Sequence, residues 1–148
     1  MIKYILGGIL VAFGFISGIT VRTIYQDRIG LLTRFLRFIQ FCESEVNYYK
    51  TEFNTIIAKF RQNNNKYDAY IFDKKPSFLL KNENKKIIDD FLNDVGKYDE
   101  ETQKNKFCEA RNQIECALKE ANVELEKKGK TFKKLAPIIA FGLFILLL

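Results

Sequence analysis

The sequence predicts an all-α protein: a cytoplasmic helical bundle of about five to six helices between an N-terminal transmembrane helix and a short C-terminal one. Three observations predict it. Apolar residues in the polar middle recur at three- and four-residue steps, the period of a helix with one buried face. No apolar/polar alternation bounded by turn chemistry stands out to suggest strands. Both ends are apolar and, Lys3 apart, without charged side chains, whereas residues 22–134 are rich in charge. With 148 residues there is room for one domain plus membrane segments. The expected organisation is therefore a membrane segment over 1–21, a cytoplasmic helical domain over 22–134 and a second membrane segment over 135–148.

Tyr4 to Val21 is the first uncharged run. A helix of that length is about 27 Å long, close to the hydrocarbon thickness of a bilayer. A cleaved signal peptide is the competing reading, but Lys3 makes a thin basic start and no convincing small-x-small cleavage site precedes Arg22. Gly14 and Gly18 form a G-x-x-x-G, a spacing that lets a second helix approach closely.

The next helix carries Leu32, Phe35, Leu36, Ile39, Cys42, Val46 and Tyr49 on one stripe. No Gly or Pro stands between Leu31 and Lys75, and Gly30 is the only break after the first run, so this helix should continue from the membrane deep into the domain. A second stripe, Phe53, Ile56, Ile57 and Phe60, ends at the polar loop Asn63-Asn64-Asn65. The aromatic stretch Tyr67–Phe72 fits a short helix or an extended segment. Pro76 opens a new piece, with Ser77 a candidate helix start. Ile87, Ile88, Phe91, Leu92 and Val95 predict another amphipathic helix, with Gly96 as its C-terminal cap. Asp99 can cap the following helix, with Glu100 and Glu101 favourably placed in its first turn. That helix buries Phe107, Ala110, Ile114, Ala117, Leu118, Ala121 and Leu125, and Gly129 is a candidate interruption.

The second uncharged run, Leu135 to Leu148, is about 21 Å as a helix, short for a full span. Lys133 and Lys134 can lengthen it by snorkelling, and Pro137 falls in its first turn, where a missing N–H matters little. A span ending at the carboxylate is expected; a half-inserted hairpin is the alternative.

The chain has 24 Lys and Arg against 18 Asp and Glu, a net charge of +6, and the surplus is concentrated. Arg22, Arg28, Arg34 and Arg37 follow the first run with only Asp27 against them. Lys127, Lys128, Lys130, Lys133 and Lys134 precede the second run with no acid among them. Basic flanks mark the cytoplasmic side of membrane segments and attract anionic headgroups. The middle is therefore expected in the cytoplasm and both termini outside. A nucleic-acid partner is not expected, because the basic clusters adjoin the apolar runs and most Phe fall on core stripes.

Chemistry is harder to find. There is no histidine, which removes the commonest metal ligand and the usual general base near neutral pH. Glu43 and Glu45 stand two apart and point to different sides of a helix, while Asp90 and Asp94 share a face of the kind that is usually solvated. Cys42, Cys108 and Cys116 form no even disulfide set, and Cys108 and Cys116 are too far apart along a helix to ligate one zinc. No Gly-rich phosphate loop, G-x-S-x-G or H-E-x-x-H occurs. Neither an enzyme nor a bound metal or cofactor is expected.

The chain resembles the stage III sporulation protein AB family of endospore-forming bacteria over nearly its whole length, most thinly between about Arg61 and Asn84, and three stretches carry the resemblance. Arg28 and a leucine-rich helix lead to Cys42-Glu43-Ser44-Glu45-Val46-Asn47-Tyr48, similar to the family's L-E-x-E-I-x-Y. Val95-Gly96-Lys97-Tyr98-Asp99-Glu100-Glu101-Thr102-Gln103 resembles its L-G-x-S-D-x-x-x-Q. The third stretch is a charged helix entering a short apolar C-terminus that ends in leucines. Cys42 stands where Leu is usual, Tyr98 where Ser is and Pro137 where Gly is common, and the mid-domain Trp is missing.

The resemblance implies a part of the channel joining mother cell and forespore, in the mother-cell membrane around the forespore. Its cytoplasmic domain would resemble that of the platform protein F of type II secretion. The implied partners are the membrane, the cytoplasmic ATPase AA of the same sporulation stage and other channel subunits; self-association stays open. Arg28, Glu43, Glu45, Tyr48, Gly96, Asp99 and Gln103 match motif positions, either as caps and packing residues or as partner contacts. A membrane-tethered regulatory adaptor unrelated to sporulation is the alternative function.

Overall fold

The computed structural model describes the backbone of residues 2–49, 52–62, 65–73 and 79–147. Side chains are described at 8, 9, 12, 13, 16, 19–46, 52–62, 65–73, 79–128, 131, 134, 135, 137–139, 141, 142 and 145. The Gly14 and Gly18 pair as a packing surface, the side chains of Tyr48, Lys130 and Lys133, Asn63-Asn64, and the helix start at Pro76-Ser77 lie outside the described residues.

Among the described residues every regular element is a helix. They are α1 (Ile2–Tyr49), α2 (Phe53–Arg61), α3 (Asp68–Ile71), α4 (Asn82–Asp94), α5 (Glu100–Glu124), a π-helical segment (Leu125–Gly129) and α6 (Lys130–Leu147). The aromatic stretch that sequence left undecided is thus the short helix α3. Gly30 does not interrupt α1, and the interruption expected at Gly129 is the π segment.

The chain divides into two compact units, Met1–Asp27 with Glu120–Leu148, and Arg28–Lys119. The Arg28–Lys119 unit holds an aromatic core. Leu31, Leu32, Phe35, Phe38, Ile39 and Cys42 of α1, Ile56, Ile71, Phe107 and Ile114 are all fully buried. Phe38 is the hub, with ring centroids 5.1 Å from Phe60, 4.8 Å from Phe72 and 6.2 Å from both Phe35 and Phe91. Phe35 meets Phe91 edge-on at 5.5 Å, and Phe91 meets Phe107 at 5.7 Å, so rings link α1, α4 and α5. Each buried large apolar side chain contributes about 1.5–3 kcal/mol, and edge-on ring pairs add about 1 kcal/mol. Burial of Leu31 and Phe38 widens the α1 stripe, because this helix is covered from more than one side.

In the other unit, Ile9, Phe13, Ile16 and Ile19 of α1 are exposed, as are Leu135, Ile138, Ile139, Phe141 and Ile145 of α6. Thr20 and Thr23 turn their hydroxyls onto the carbonyls of Ile16 and Ile19, one turn back, at 2.9 and 3.1 Å. Among the described residues no helix is long and apolar enough to cross a membrane. Pro137 requires a correction. Because α6 begins at Lys130, Pro137 lies inside the helix rather than in its first turn, where its missing N–H removes an intrahelical donor.

Candidate functional site

The motif positions occupy the α4–α5 turn and the C-terminal half of α1. At the turn, α4 ends at Asp94 and the chain reverses through Val95 (φ −61°, ψ 129°) and Gly96 (φ 85°). The Lys97 N–H donates to the Asp94 carbonyl at 3.2 Å, which completes the pattern of a type II turn. Gly96 is therefore needed for its positive φ, as the third residue of this turn rather than as a helix cap. Its N–H donates to Gln103 Oε1 at 3.0 Å, and Gln103 is buried. Gln103 thus clamps the turn to the first turn of α5.

Asp99 closes the N-terminus of α5. Its carboxylate accepts the Thr102 N–H at 3.2 Å and its carbonyl accepts the Gln103 N–H at 2.9 Å. Hydrogen bonds from the Thr102 side chain and backbone hold its carboxyl below the usual carboxylate range.

On α1 the two motif carboxylates diverge. Glu43 accepts from Arg111 Nη1 of α5 at 3.1 Å, and the nearly buried Glu45 accepts from Lys59 Nζ of α2 at 2.8 Å. Each ties α1 to a different helix, and with a cation on each they do not converge on a common point. Cys42 lies in the core one turn before Glu45; burial first, then the Glu45 carboxylate, pushes its thiol well above the usual range. Cys108 and Cys116 are free and exposed.

The arginines after the first apolar run separate into two kinds. Arg37 is exposed and Arg22 half-buried, but Arg28 and Arg34 are buried, at 5 % and 9 % exposure. The sequence grouped all four as membrane-flanking charges. Burial withdraws Arg28 and Arg34 from any headgroup, and Arg34 spends its charge on Asp68 and Phe60. Arg34 Nε and Nη2 donate to Asp68 at 2.9 and 3.1 Å, Nη2 also donates to the Phe60 carbonyl at 3.1 Å, and the guanidinium carbon lies 3.8 Å from the Phe60 ring centroid. Lys127, Lys128 and Lys134 are exposed.

Sequence reasoning missed Asp68 and Arg111, the partners of Arg34 and Glu43. The available signal for Asp68 was its position as the lone acid in an aromatic stretch. Among the described residues no group of three His, Cys, Asp or Glu side chains could hold a metal ion. Of the motif positions, Asp99 caps α5, Gly96 and Gln103 hold the α4–α5 turn, and Glu43 and Glu45 tie α1 to α5 and α2.

The family model for stage III sporulation protein AB matches residues 69–148. No curated protein matches the chain, and no solved structure does. The matched stretch takes in Gly96, Asp99 and Gln103, the basic flank from Lys127 to Lys134 and the terminal apolar run; Arg28, Glu43, Glu45 and Tyr48 precede it. A match over more than half of its length, with the α4–α5 turn and the terminal helix inside it, means that the chain belongs to the stage III sporulation protein AB family.

Proposed function

We propose that this protein is a non-enzymatic membrane platform subunit of the channel between mother cell and forespore, and that its helical middle docks a cytoplasmic ATPase. The observation that carries the proposal is the family match, which gives the chain a role in stage III of sporulation. Both ends serve as anchors. The exposed apolar side chains of α1 (Ile9, Phe13, Ile16 and Ile19) and of α6 (Leu135, Ile138, Ile139, Phe141 and Ile145) support lipid contact, as do the two uncharged runs they belong to. Exposed Lys127, Lys128 and Lys134 suit the anionic cytoplasmic leaflet, which favours a cytoplasmic middle with both termini outside. Caps and helix ties at the motif positions support a docking body rather than a catalyst.

Full-length protein should remain in the membrane pellet after alkaline extraction and should co-purify with the stage III ATPase from sporulating cells. Single cysteines placed at each terminus should react with an impermeant reagent from outside. An alkaline-soluble protein, or one that never retains the ATPase, overturns the proposal.

A further inference from the structure

Helices α4 and α5, joined by the Gly96 turn, leave a groove of about 490 Å³ between them. Its apolar lining is Ile87 and Phe91 of α4, Val95 just past the end of that helix, and Ala110 of α5; Ile87 is half-buried and the other three form the buried floor. Its charged lining is Glu83, Asp90, Asp94 and Glu109 against Lys86 and Lys106. Lys106 Nζ already lies 3.8 Å from Glu109. Glu83, Asp90 and Asp94 stand seven and four residues apart, so they follow one another along a single face of α4 beside the apolar strip. This local excess of negative charge occurs in a chain of net charge +6.

We propose that this groove receives an amphipathic helix of a cytoplasmic protein partner, one whose apolar stripe is flanked by lysines or arginines. The proposal rests on the platform reading and assigns the docking surface and the chemistry of what docks. The groove's buried apolar floor, with half-exposed Ile87 rising from it, is the line along which a partner helix lays its own stripe. α4 is about 20 Å long, so three to four turns of partner fill it. The acids are strung along the groove rather than gathered at one point. That spacing matches charges repeated every turn of a partner helix and does not suit a compact ligand, which needs convergent polar groups. In a basic protein, such a row also selects orientation and steers a cationic partner to this face.

The test uses full-length protein in non-ionic detergent. The probe is a synthetic helix of about 15 residues with a leucine stripe and lysine flanks; a control peptide carries glutamate in place of lysine. Expected is saturable binding of the lysine peptide, weakened about tenfold or more by Asp90→Lys with Asp94→Lys. The same variant should gain affinity for the glutamate peptide. Asp90→Asn with Asp94→Asn should show a smaller loss, and it carries the comparison if the lysine variant fails to fold by circular dichroism. Equal binding of both peptides to the wild type, or lysine-peptide binding indifferent to these substitutions, overturns the proposal. So does wild-type self-association abolished by the reversal, which would make a second copy the occupant. ATPase retained equally by wild type and reversed variant overturns the groove and leaves the platform standing. Wild type that loses the ATPase yet binds the lysine peptide through Asp90 and Asp94 overturns the platform and leaves the groove standing.

Discussion

Arg34 and Asp68 form a two-point ion pair inside the Arg28–Lys119 unit, with Nε–Oδ1 at 2.9 Å and Nη2–Oδ2 at 3.1 Å, their side chains 10 % and 7 % exposed. The pair holds the four-residue helix α3, too short to be stable alone, against α1. Removing one partner strands the other's charge in the interior. Asp68→Ala is expected to destabilise the protein by about 3–5 kcal/mol, and Arg34→Met with Asp68→Leu by clearly less. Denaturant unfolding of the full-length variants in detergent checks the order. A double variant worse than either single one would contradict it.

Gly30 is held small by Tyr67. A methyl group added at Gly30 would come within 2.7 and 2.8 Å of two ring carbons of Tyr67. Alanine should raise helix propensity by about 1 kcal/mol, but overpacking of this kind costs about 1–3 kcal/mol. Gly30→Ala is therefore expected to lower the melting temperature in the wild type and to raise it in a Tyr67→Ala background. The sign change in this double-mutant cycle is the measurement; the same sign in both backgrounds would refute the contact.

Asp99 makes a pH prediction with a definite sign. Its folded-state carboxyl titrates below the unfolded value, so its stabilising contribution is fully present above the unfolded pKa of about 3.9 and is lost as pH falls through the lower folded value. Wild type should melt above Asp99→Ala by a constant margin from about pH 5 to 8, and the margin should shrink below about pH 4. A margin that grows in acid would show that Asp99 does not cap α5 as a carboxylate.

The three cysteines should split two to one. Cys108 and Cys116 are exposed, whereas Cys42 is fully buried and its thiol is pushed well above the usual range. A thiol reagent at neutral pH should titrate two groups in the native full-length protein and the third only after denaturation. Fast modification of Cys42 would mean that the α1 core opens.

Sequence showed most clearly the elements that carry their own punctuation. α4 and α5 have sharp apolar stripes, and the Gly96 and Asp99 signals between them need no tertiary information. Even there, the stripe could not tell a C-terminal cap from a type II turn, since both require a positive φ at glycine. The least visible features depend on residues far apart in the chain. Arg34 looks like a surface charge until Asp68, 34 positions later, is folded onto it. Phe38 falls outside the neatest stripe, and only the arrival of Phe60 and Phe72 makes it central. Pro137 was misplaced for another reason. The apolar run looks like the start of a helix, whereas the lysine-rich residues before it are already helical.

Burial of Arg28 and Arg34 also divides the arginines by time. A nascent chain entering a bilayer has not yet folded, so in the proposed topology all four arginines help to set its orientation. Once the core closes, two of them vanish from the surface, while Arg37 stays exposed and Arg22 half-buried. Replacing Arg34 by an uncharged residue would then act twice over, on the way in and again in the finished fold. A substitution at exposed Arg37 would, in the same topology, be felt at insertion alone and would leave the core untouched.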